Sequence, residues 1–295
     1  MKIFVFGKIG QLGWELQRAL APLGEVIAVD YPQIDLRKPQ SVRDWIFPSS
    51  PDVIINATAY TAVDRAESEP QLAMAINADS VRAMAEEAKK AQAVLIHFST
   101  DYVFDGRKGS PYLETDIPNP LSIYGKSKLA GERYIEEVGG SYLILRTSWV
   151  YSLRRDSFVT KVLEWARKHE VLKIVDDQVS SPTWARMLAE ATALLIARAP
   201  ENLYDWIAQR RGIYHLAGSG FCSRYEWARA ILENDPQPES RLAREVVPAK
   251  TSDFPTAAQR PLNSALSCEK FGKTFGLRLP HWRDALRLAM EEMEK

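Results

Sequence analysis

Five short apolar runs that alternate with helical patterns constrain the fold of this chain more than any other feature. The runs lack an alternation of polar and apolar residues, which is typical of strands buried on both faces of a sheet. Helices between consecutive strands indicate parallel crossover connections. The runs are residues 3–6, 26–29, 53–55, 94–96 and 142–145. The sequence therefore predicts an α/β fold with a doubly wound parallel sheet, whose ligand crevice lies at the carboxyl ends of the strands.

The second half of the chain is less regular than the first. Residues 235–261 are rich in proline and polar residues, as is typical of loops. Neither a flexible linker nor an internal repeat separates the halves, so we expect two lobes that are interleaved in sequence. The larger lobe is predicted to comprise residues 1–150 plus about 184–218. The smaller lobe is predicted to comprise mainly residues from about 151–183 and 219–295.

Charge and composition argue against several classes of function. The chain of 295 residues has 38 Lys and Arg and 38 Asp and Glu, so its formal net charge is zero. This balance gives no global positive field for a nucleic acid polymer or an anionic membrane. Two cysteines, Cys222 and Cys268, and four scattered histidines form neither a disulfide framework nor a zinc motif. The first apolar run is too short for a secretory signal or a membrane span, so we expect a cytoplasmic location.

A glycine turn follows the first apolar run. Its glycines are Gly7, Gly10 and Gly13, with Gln11 and Leu12 between the last two. Glycine lets a backbone turn tightly and approach a pyrophosphate, and the N-terminus of the next helix offers free N–H groups. The alternative is a strand–helix turn that uses glycine only for packing. The position at the start of a parallel unit favours a dinucleotide site.

Asp30 ends the second apolar run, about 20 residues after the glycine turn, where an acid can bind the hydroxyls of an adenosine ribose. Asp35 and Leu36 follow, where they could frame the adenine. An acid at this place usually favours NAD over NADP, whereas Lys8 and Arg37 could hold a 2′-phosphate. The sequence therefore predicts NADPH or NADH without choosing between them. The alternative is that Asp30 is a loop aspartate beside a turn, which the sequence favours less.

Tyr124 and Lys128 lie four residues apart, on one face of a predicted helix. A tyrosine hydroxyl has a pKa of about 10, and a nearby ammonium stabilises its phenolate. Tyr124 is predicted as the acid/base of a carbonyl reduction, and Lys128 as the group that tunes it and holds the nicotinamide ribose. Thr100, after the fourth run, is predicted to hydrogen-bond the substrate oxygen. The pair alone is better explained by a surface helix, but the glycine turn and the Ser-Thr-Asp segment at the end of the fourth strand favour catalysis.

Several motifs together resemble a known family, the dTDP-4-dehydrorhamnose reductases of the extended short-chain dehydrogenase/reductase superfamily. The similarity covers nearly the whole chain. The motifs are residues 6–13, 61–67, 99–104, 124–128 and 146–151, and Arg260-Pro261 with Asn263-Ser264. The resemblance implies a Rossmann-type NAD(P)-binding domain in the larger lobe and a sugar-nucleotide site in the smaller one.

The resemblance implies hydride transfer from NADPH or NADH to the 4-keto carbon of dTDP-4-dehydro-β-L-rhamnose, with Tyr124 protonating the new alkoxide. Thr100 and Asp101 would contact the sugar, and Trp149 would line the substrate side. Arg260 would bind the diphosphate, or would form a surface salt bridge.

The family's cofactor positions also fall on residues of this chain. They are Gln11, Leu12, Asp30, Asp35, Leu36, Ala59, Tyr60 and Thr61. Asn77 lies where the superfamily often has an asparagine near the site, and a helix cap explains it equally well.

The chain departs from the family's pattern in two places. Ser180 stands where members often have glycine, which could reshape the loop near the substrate. Some members bind Mg²⁺ between the subunits of a homodimer through glutamates, and Glu15 and Glu292 match two of these positions. The third falls on Arg186, with Glu190 one turn away. Solvated helix charges explain these glutamates better than a metal does.

Two other functions stay open at this stage. One is a nucleotide-sugar epimerase or dehydratase of the same superfamily, but a dehydratase would need a second acid where Tyr102 follows Asp101. The other is a non-catalytic subunit like the NADP-binding regulator of methionine adenosyltransferase. The presence of Thr100, Tyr124 and Lys128 favours catalysis.

Overall fold

The structure, a computed structural model, describes residues 1–200 and 202–293, apart from the side chains of Phe47 and Glu292. In this part of the chain the strands are β1 Lys2–Phe6, β2 Glu25–Val29, β3 Val53–Asn56, β4 Val94–Thr100, β5 Tyr142–Thr147, β6 Val150–Tyr151, β7 Val171–Val175, β8 Val179–Ser180, β9 Thr183–Trp184, β10 Gly212–His215, β11 Cys222–Ser223 and β12 Glu245–Ala249. The α-helices are α1 Gln11–Leu20, α2 Pro39–Ser49, α3 Val63–Ala66, α4 Pro70–Met74, α5 Ser80–Lys90, α6 Ile123–Val138, α7 Phe158–Lys168, α8 Ala185–Ala197, α9 Leu203–Ala208, α10 Arg224–Glu233, α11 Glu269–Phe275 and α12 Trp282–Met290.

A six-stranded sheet in the order β2-β1-β3-β4-β5-β10 forms the centre of the larger lobe. Every neighbouring pair in it is parallel. In register, Phe6 pairs with Val29 on one side and with Asn56 on the other, so the ends of β1, β2 and β3 are level. The prediction of a doubly wound α/β sheet is confirmed. The strand order reverses direction between β1 and β3, which is the switch point where such sheets bind ligands.

Two apolar layers cover the sheet. On one face, Leu16 of α1 and Leu188 of α8 lie in a buried cluster with β1, β3, β4 and β5. On the other face, α2 and α5 contribute Ile46 and Met84 to a second cluster. Burial of both faces explains why the strands read as continuous apolar runs. Helix α11 also packs on the first cluster, although it lies within residues 219–295.

The smaller lobe has its own core around Trp227 of α10, with α7 and α12 packed against it. Pairs of short strands connect its loops: β7 with β12 and β6 with β9 in parallel, and β8 with β11 antiparallel. None of the helices within residues 1–200 and 202–293 combines the length and apolar character needed to cross a membrane.

Between α4 and α5 the helix continues through one π-helical segment, Ala75–Asp79. Such segments often occur at functional sites. Here the segment contains Asn77, whose Oδ1 accepts a hydrogen bond from the Tyr60 backbone N–H at 2.8 Å. The Asn77 Nδ2 donates to Ser127 Oγ at 2.9 Å, so Asn77 ties the loop after β3 to helix α6.

Candidate active site

A cleft of about 770 Å³ opens at the carboxyl ends of β1, β3, β4 and β5, and we call it the strand-end cleft. The predicted residues that line it are Gly7, Gly10, Gln11, Leu12, Asp30, Ala59, Thr61, Tyr124 and Lys128. Gly13, Asp35, Leu36 and Tyr60 lie outside this lining. The structure therefore brings the glycine turn and the Tyr–Lys pair to one cleft, although more than 100 residues separate them in the chain.

The glycine turn has the geometry of an anion site. Gly7 has φ +103°, a backbone conformation that favours glycine. A Cβ atom on Gly13 would lie 1.9 Å from the Gly7 carbonyl oxygen, so only glycine lets α1 start this close to the strand. Gly10 caps α1, and the first helical turn contains no acidic residue. The free N–H groups of that turn, at the positive end of the helix dipole, suit a pyrophosphate.

Two buried polar atoms in the strand-end cleft have no hydrogen-bond partner among the described residues. They are Gln11 Oε1 and Thr147 Oγ1. Buried polar groups are normally satisfied, so their orphaned state here fits a polar ligand in the cleft. These two unpartnered atoms are the reason why the residues of the cleft suit a dinucleotide.

Asp30 is held at the edge of the strand-end cleft by two backbone N–H groups, from Ile9 at 3.0 Å and Tyr31 at 2.8 Å. Its carboxylate therefore lies beside the glycine turn, where ribose hydroxyls could donate to it. Asp35 instead pairs with Arg37 at 2.7 Å, and this hydrogen bond lowers the pKa of the Asp35 carboxyl. Arg37 is thus engaged with its own neighbour.

The loop after β3 contributes Ala59 and Thr61 to the lining, while Tyr60 holds the loop in place. The Tyr60 hydroxyl donates to Glu69, and this bond raises the pKa of Tyr60. The Asn77 Oδ1 also accepts the Tyr60 backbone N–H. Tyr60 and Asn77 therefore act on the shape of the loop.

Helix α6 carries Tyr124 and Lys128 into the cleft. Ser122 caps the helix, and its Oγ accepts the Gly125 N–H at 3.1 Å. The Lys128 Nζ donates to the Phe98 carbonyl oxygen at 2.7 Å and lies 3.2 Å from His97 Nε2. Lys128 is 1% exposed. Burial lowers the pKa of Lys128 to about 8, against an opposing contribution from the Glu132 carboxylate one turn away.

The Tyr124 hydroxyl is a protonated phenol at neutral pH. Burial raises the pKa of Tyr124 above its ordinary value, while a hydrogen bond with Thr100 lowers it in part. Asp101 and Tyr102 raise this pKa further, because their negative forms disfavour a phenolate. A group that donates a proton must be protonated before the reaction, and nearby cations stabilise the anion that it becomes.

Asp101 is buried next to Thr100 and accepts three side-chain hydrogen bonds. Ser264 and Ser180 donate to its Oδ2 at 2.5 Å and 3.2 Å, and Thr100 donates to its Oδ1 at 3.2 Å. Burial raises the pKa of Asp101 to about 6, and the three hydroxyls lower it in part. Ser180, at the position where the family often has glycine, thus supplies a hydroxyl to this carboxylate.

A second cavity, of about 740 Å³, lies in the smaller lobe, and we call it the second-lobe cavity. Trp149 stacks on Trp227 with ring centroids 5.4 Å apart. The guanidinium carbon of Arg224 lies 3.7 Å from the centre of the Trp149 ring. Burial lowers the pKa of Arg224 to about 10. The cavity therefore combines aromatic walls with a half-buried cation, which suits an aromatic, anionic ligand.

Arg260 lines the second-lobe cavity but is ion-paired. Its Nη2 lies 2.6 Å from Asp64 Oδ2, on α3 of the larger lobe. This pair connects the two lobes at the cavity's edge. The sequence allowed Arg260 either to bind the diphosphate or to form a salt bridge, and the structure shows the salt bridge.

The predicted metal positions do not suit a cation. Glu15 Oε2 lies 3.5 Å from Arg186 Nε, so a cation there would face a guanidinium. Glu190 lies nearby, and burial raises its pKa. Among the described residues, no group of three His, Cys, Asp or Glu could hold a metal ion. The side chain of Glu292 lies outside the described residues.

Sequence reasoning missed several residues of these sites. His97 lies inside β4, whose apolar pattern conceals it, whereas Asn56 at the end of β3 could be placed at the crevice from the sequence. Arg224 has no motif around it. Arg154 and Arg155, which donate to the Ile9 carbonyl oxygen at 3.2 Å and 2.6 Å, come from a loop that no pattern singled out. For His97, a polar residue at a buried strand position was the one usable signal.

Comparison with known proteins agrees with these observations. The family model described as the RmlD substrate binding domain matches residues 1–295. The dTDP-4-dehydrorhamnose reductase of Escherichia coli K12 is 44% identical over 99% of this chain and 98% of the relative. The enzyme of the same name from Burkholderia thailandensis is 41% identical over 99% of both chains.

Solved structures show the same likeness. A dTDP-4-dehydrorhamnose reductase ortholog from Clostridium acetobutylicum superposes with a TM-score of 0.91, at 33% identity over 100% of both chains. The enzyme of that name from Bacillus anthracis, solved in complex with NADP, has a TM-score of 0.88 at 33% identity over 99% of both chains. A UDP-glucose 4-epimerase of Thermus thermophilus, at 22% identity and a TM-score of 0.78, shares the fold alone. This chain belongs to the dTDP-4-dehydrorhamnose reductase family, within the extended short-chain dehydrogenases/reductases.

Proposed function

We propose that this chain reduces the 4-keto group of dTDP-4-dehydro-β-L-rhamnose to give dTDP-L-rhamnose, with NADPH or NADH as the hydride source. The observation that carries the proposal is the meeting of Tyr124, Lys128 and the glycine turn in one strand-end cleft. Full-length relatives named as this reductase support it.

In this proposal the glycine turn and the start of α1 bind the cofactor's pyrophosphate, and Asp30 accepts hydrogen bonds from ribose hydroxyls. The reduced nicotinamide, when bound, supplies the hydride. Gln11 and Thr147 offer the orphaned polar atoms that a bound cofactor would satisfy. Lys128, which lines the cleft beside β4, would hold the nicotinamide ribose.

Tyr124 donates the proton to the oxygen of the reacting carbonyl. The hydrogen bond with Thr100 stabilises the phenolate that remains, and a charged Lys128 on the same face of α6 would add to this stabilisation. Each unit by which these groups lower the Tyr124 pKa corresponds to about 1.4 kcal/mol of stabilisation of the anion. Thr100 also fixes the direction of proton transfer, because its hydroxyl lies next to that of Tyr124.

The sugar nucleotide would extend from Tyr124 into the second-lobe cavity. Asp101 would bind sugar hydroxyls, and Trp149 would face the nucleotide. Arg224 and Arg260 supply positive charge for the diphosphate. Arg224 is the more direct candidate, because Arg260 already pairs with Asp64. The proposal thus gives the two lobes separate tasks: the cofactor binds to the sheet lobe and the sugar nucleotide to the smaller one.

The choice between NADPH and NADH is part of the proposal's test. Asp30 disfavours a 2′-phosphate by charge repulsion, and Arg37 is engaged with Asp35. Lys8, Arg154 and Arg155 remain as basic residues near the glycine turn. A homodimer and a cytoplasmic location stay predictions. We assign no metal to the reaction, since Glu15 faces Arg186.

One spectrophotometric assay tests the activity. The purified chain is expected to oxidise NADPH or NADH only when the 4-keto sugar nucleotide is present. The two reduced cofactors are compared side by side with dTDP-glucose as a control that lacks the keto group. Failure to consume either cofactor with the keto sugar, in a protein shown to be folded by circular dichroism, would refute the reductase.

A further inference from the structure

A buried hydrogen-bonded chain runs from Lys128 into the sheet. Lys128 Nζ lies 3.2 Å from His97 Nε2, and His97 Nδ1 lies 3.0 Å from Asn56 Nδ2. His97 on β4 and Asn56 on β3 are both 0% exposed. Lys128 and His97 are titratable, so the positions of the protons along this series of hydrogen bonds affect the charge in the strand-end cleft.

The orientation of the Asn56 amide follows from its other contacts. Its Oδ1 accepts the Thr58 backbone N–H at 3.0 Å and the Thr58 hydroxyl at 2.6 Å. The amide nitrogen must therefore be the atom that faces His97, and it donates to Nδ1. His97 Nδ1 accepts this bond and carries no proton.

His97 is neutral, because its complete burial holds the pKa of the imidazole well below its ordinary range. A neutral imidazole has one N–H, and Nδ1 is bare, so the proton is on Nε2. The Nε2–H points at Lys128 Nζ. An ammonium has only donors, whereas an amine has a lone pair that accepts this N–H while the amine still donates to the Phe98 carbonyl.

We propose that His97 favours the neutral amine of Lys128 in the cofactor-free protein, so that a dinucleotide binds with uptake of one proton at Lys128 Nζ. The proton comes from solvent through the open cleft that Lys128 lines. Ribose oxygens and phosphates of the ligand favour the ammonium, because they accept its hydrogen bonds and oppose its charge. The inference rests on the proposed function, since it takes a dinucleotide as the ligand of this cleft. His97 is a positioning residue and touches no reacting atom.

The surroundings of Lys128 agree with an uncharged amine in the free protein. The titratable and charged residues on α6, β4, β5 and the turn after β4 include Tyr124, Glu132, His97, Arg146, Asp101 and Tyr102. Of these, His97 and Glu132 interact with Lys128 directly. Glu132, the nearest carboxylate in sequence, is already neutralised by Arg146 at 2.6 Å and 2.9 Å. It also accepts from Ser99 at 2.5 Å. The negative charge of Glu132 is therefore compensated mainly by Arg146 and Ser99, and not by Lys128.

The first test needs no dinucleotide. In protein labelled with ¹³C at lysine Cε, the Lys128 resonance is identified by its loss in Lys128→Met, and its shift is followed against pH. We expect a midpoint near pH 8 in the wild type, and a midpoint higher by about one unit in His97→Gln, whose amide oxygen accepts from an ammonium. Exposed Lys126, two residues away, is the internal reference. A Lys128 midpoint near that of Lys126 would overturn the proposal.

The tautomer is read in the unmodified protein, so this part does not depend on the variant folding. Long-range ¹H–¹⁵N spectra are expected to show His97 protonated at Nε2 and bare at Nδ1. The opposite tautomer would contradict the inference, because Nε2 would then accept from an ammonium.

The second test measures the coupling. Calorimetric titration with NADH at pH 9, in buffers of different ionisation enthalpy, is expected to show uptake of about 0.9 proton per site when the Lys128 pKa rises from about 8 to its ordinary value. Lys126→Gln is expected to keep this uptake, and His97→Gln to show about half of it while still binding NADH, because a midpoint one unit higher leaves about half of the Lys128 side chains already protonated at pH 9. Binding without uptake in the wild type would refute the inference alone. An absence of any binding heat with NADH and NADPH would refute the dinucleotide site, and the first test would still decide the state of Lys128.

Discussion

The strand-end cleft and the second-lobe cavity are built in different ways, although they meet at Val150, which lines both. In the cleft, the ligand groups are backbone N–H groups of one turn and side chains at the level ends of adjacent strands. In the cavity, the wall comes from separate segments near residues 149–178, 224–227 and 251–260. Backbone geometry constrains the first site strictly, whereas the second depends on which side chains happen to be brought together. The difference predicts that substitutions in the two sites affect different measurements.

The largest effect is expected from Tyr124→Phe. Loss of the phenol hydroxyl removes the proton donor, so kcat should fall by about 10²- to 10⁴-fold. The Kd of NADH, measured by quenching of tryptophan fluorescence, should change little, because the ring stays in place. Tyr102→Phe is a matched control, since Tyr102 packs edge-on against Tyr124 with centroids 5.8 Å apart. A near-normal kcat in Tyr124→Phe would show that another group carries the proton.

Gly13→Ala tests how strictly the backbone constrains the cleft. The new Cβ would lie 1.9 Å from the Gly7 carbonyl oxygen, so the turn must shift. We expect a loss of about 1–3 kcal/mol in the free energy of unfolding, from urea titrations, and weaker binding of the dinucleotide. Gly10→Ala is the control for stability, because its Cβ would lie 3.4 Å from the same oxygen. Equal stability of Gly13→Ala and the wild type would mean that the turn is not constrained in this way.

Arg224→Ala tests the other side of the comparison. Removal of the guanidinium over Trp149 should raise the KM for the sugar nucleotide by roughly 10- to 100-fold, the usual value of a charge-assisted hydrogen bond. The Kd of the cofactor should not change. Arg229→Ala, on the same helix but with a 57% exposed side chain, is the control. If Arg224→Ala weakened the cofactor instead, the assignment of the two lobes to two ligands would be wrong.

The smallest effect is expected from Ser180→Gly, at the junction of the lobes. The Ser180 hydroxyl donates to Asp101 and so lowers a pKa that burial raises to about 6. Without that hydroxyl the pKa rises, on the order of half a unit to one unit. If ionised Asp101 binds the sugar, kcat/KM falls as pH drops through this pKa, and the acid limb should move to higher pH. Ser181→Ala, whose hydroxyl donates to the Gly220 carbonyl at 2.8 Å, should leave the limb in place.

Much of the fold could be predicted from the sequence, because its signals are local. An apolar run followed by a helical repeat predicts a buried parallel strand whatever the rest of the chain does. The glycine turn is similar, since Gly7 and Gly13 meet within one turn of the backbone. Positions such as Asp35 and Leu36 were less reliable, because the exposed loop that follows β2 has no periodic signal. In the second-lobe cavity the resemblance pointed to Trp149 and Arg260, whereas Arg224 was not predicted.

The amino-acid sequence by itself determined the doubly wound sheet, the turn at the start of α1 and the helical spacing of Tyr124 and Lys128. All three follow from the periodicity and the backbone chemistry of short segments. The tertiary structure alone decided the partners of the buried polar groups. Asp101 meets Ser180 and Ser264 from 79 and 163 residues away, and Asp64 meets Arg260 from 196 residues away. Such pairs depend on strand order and on the packing of loops, and no local pattern encodes them. The protonation state that we propose for Lys128 also depends on the tertiary structure, because it depends on His97 and Asn56, which lie on two different strands.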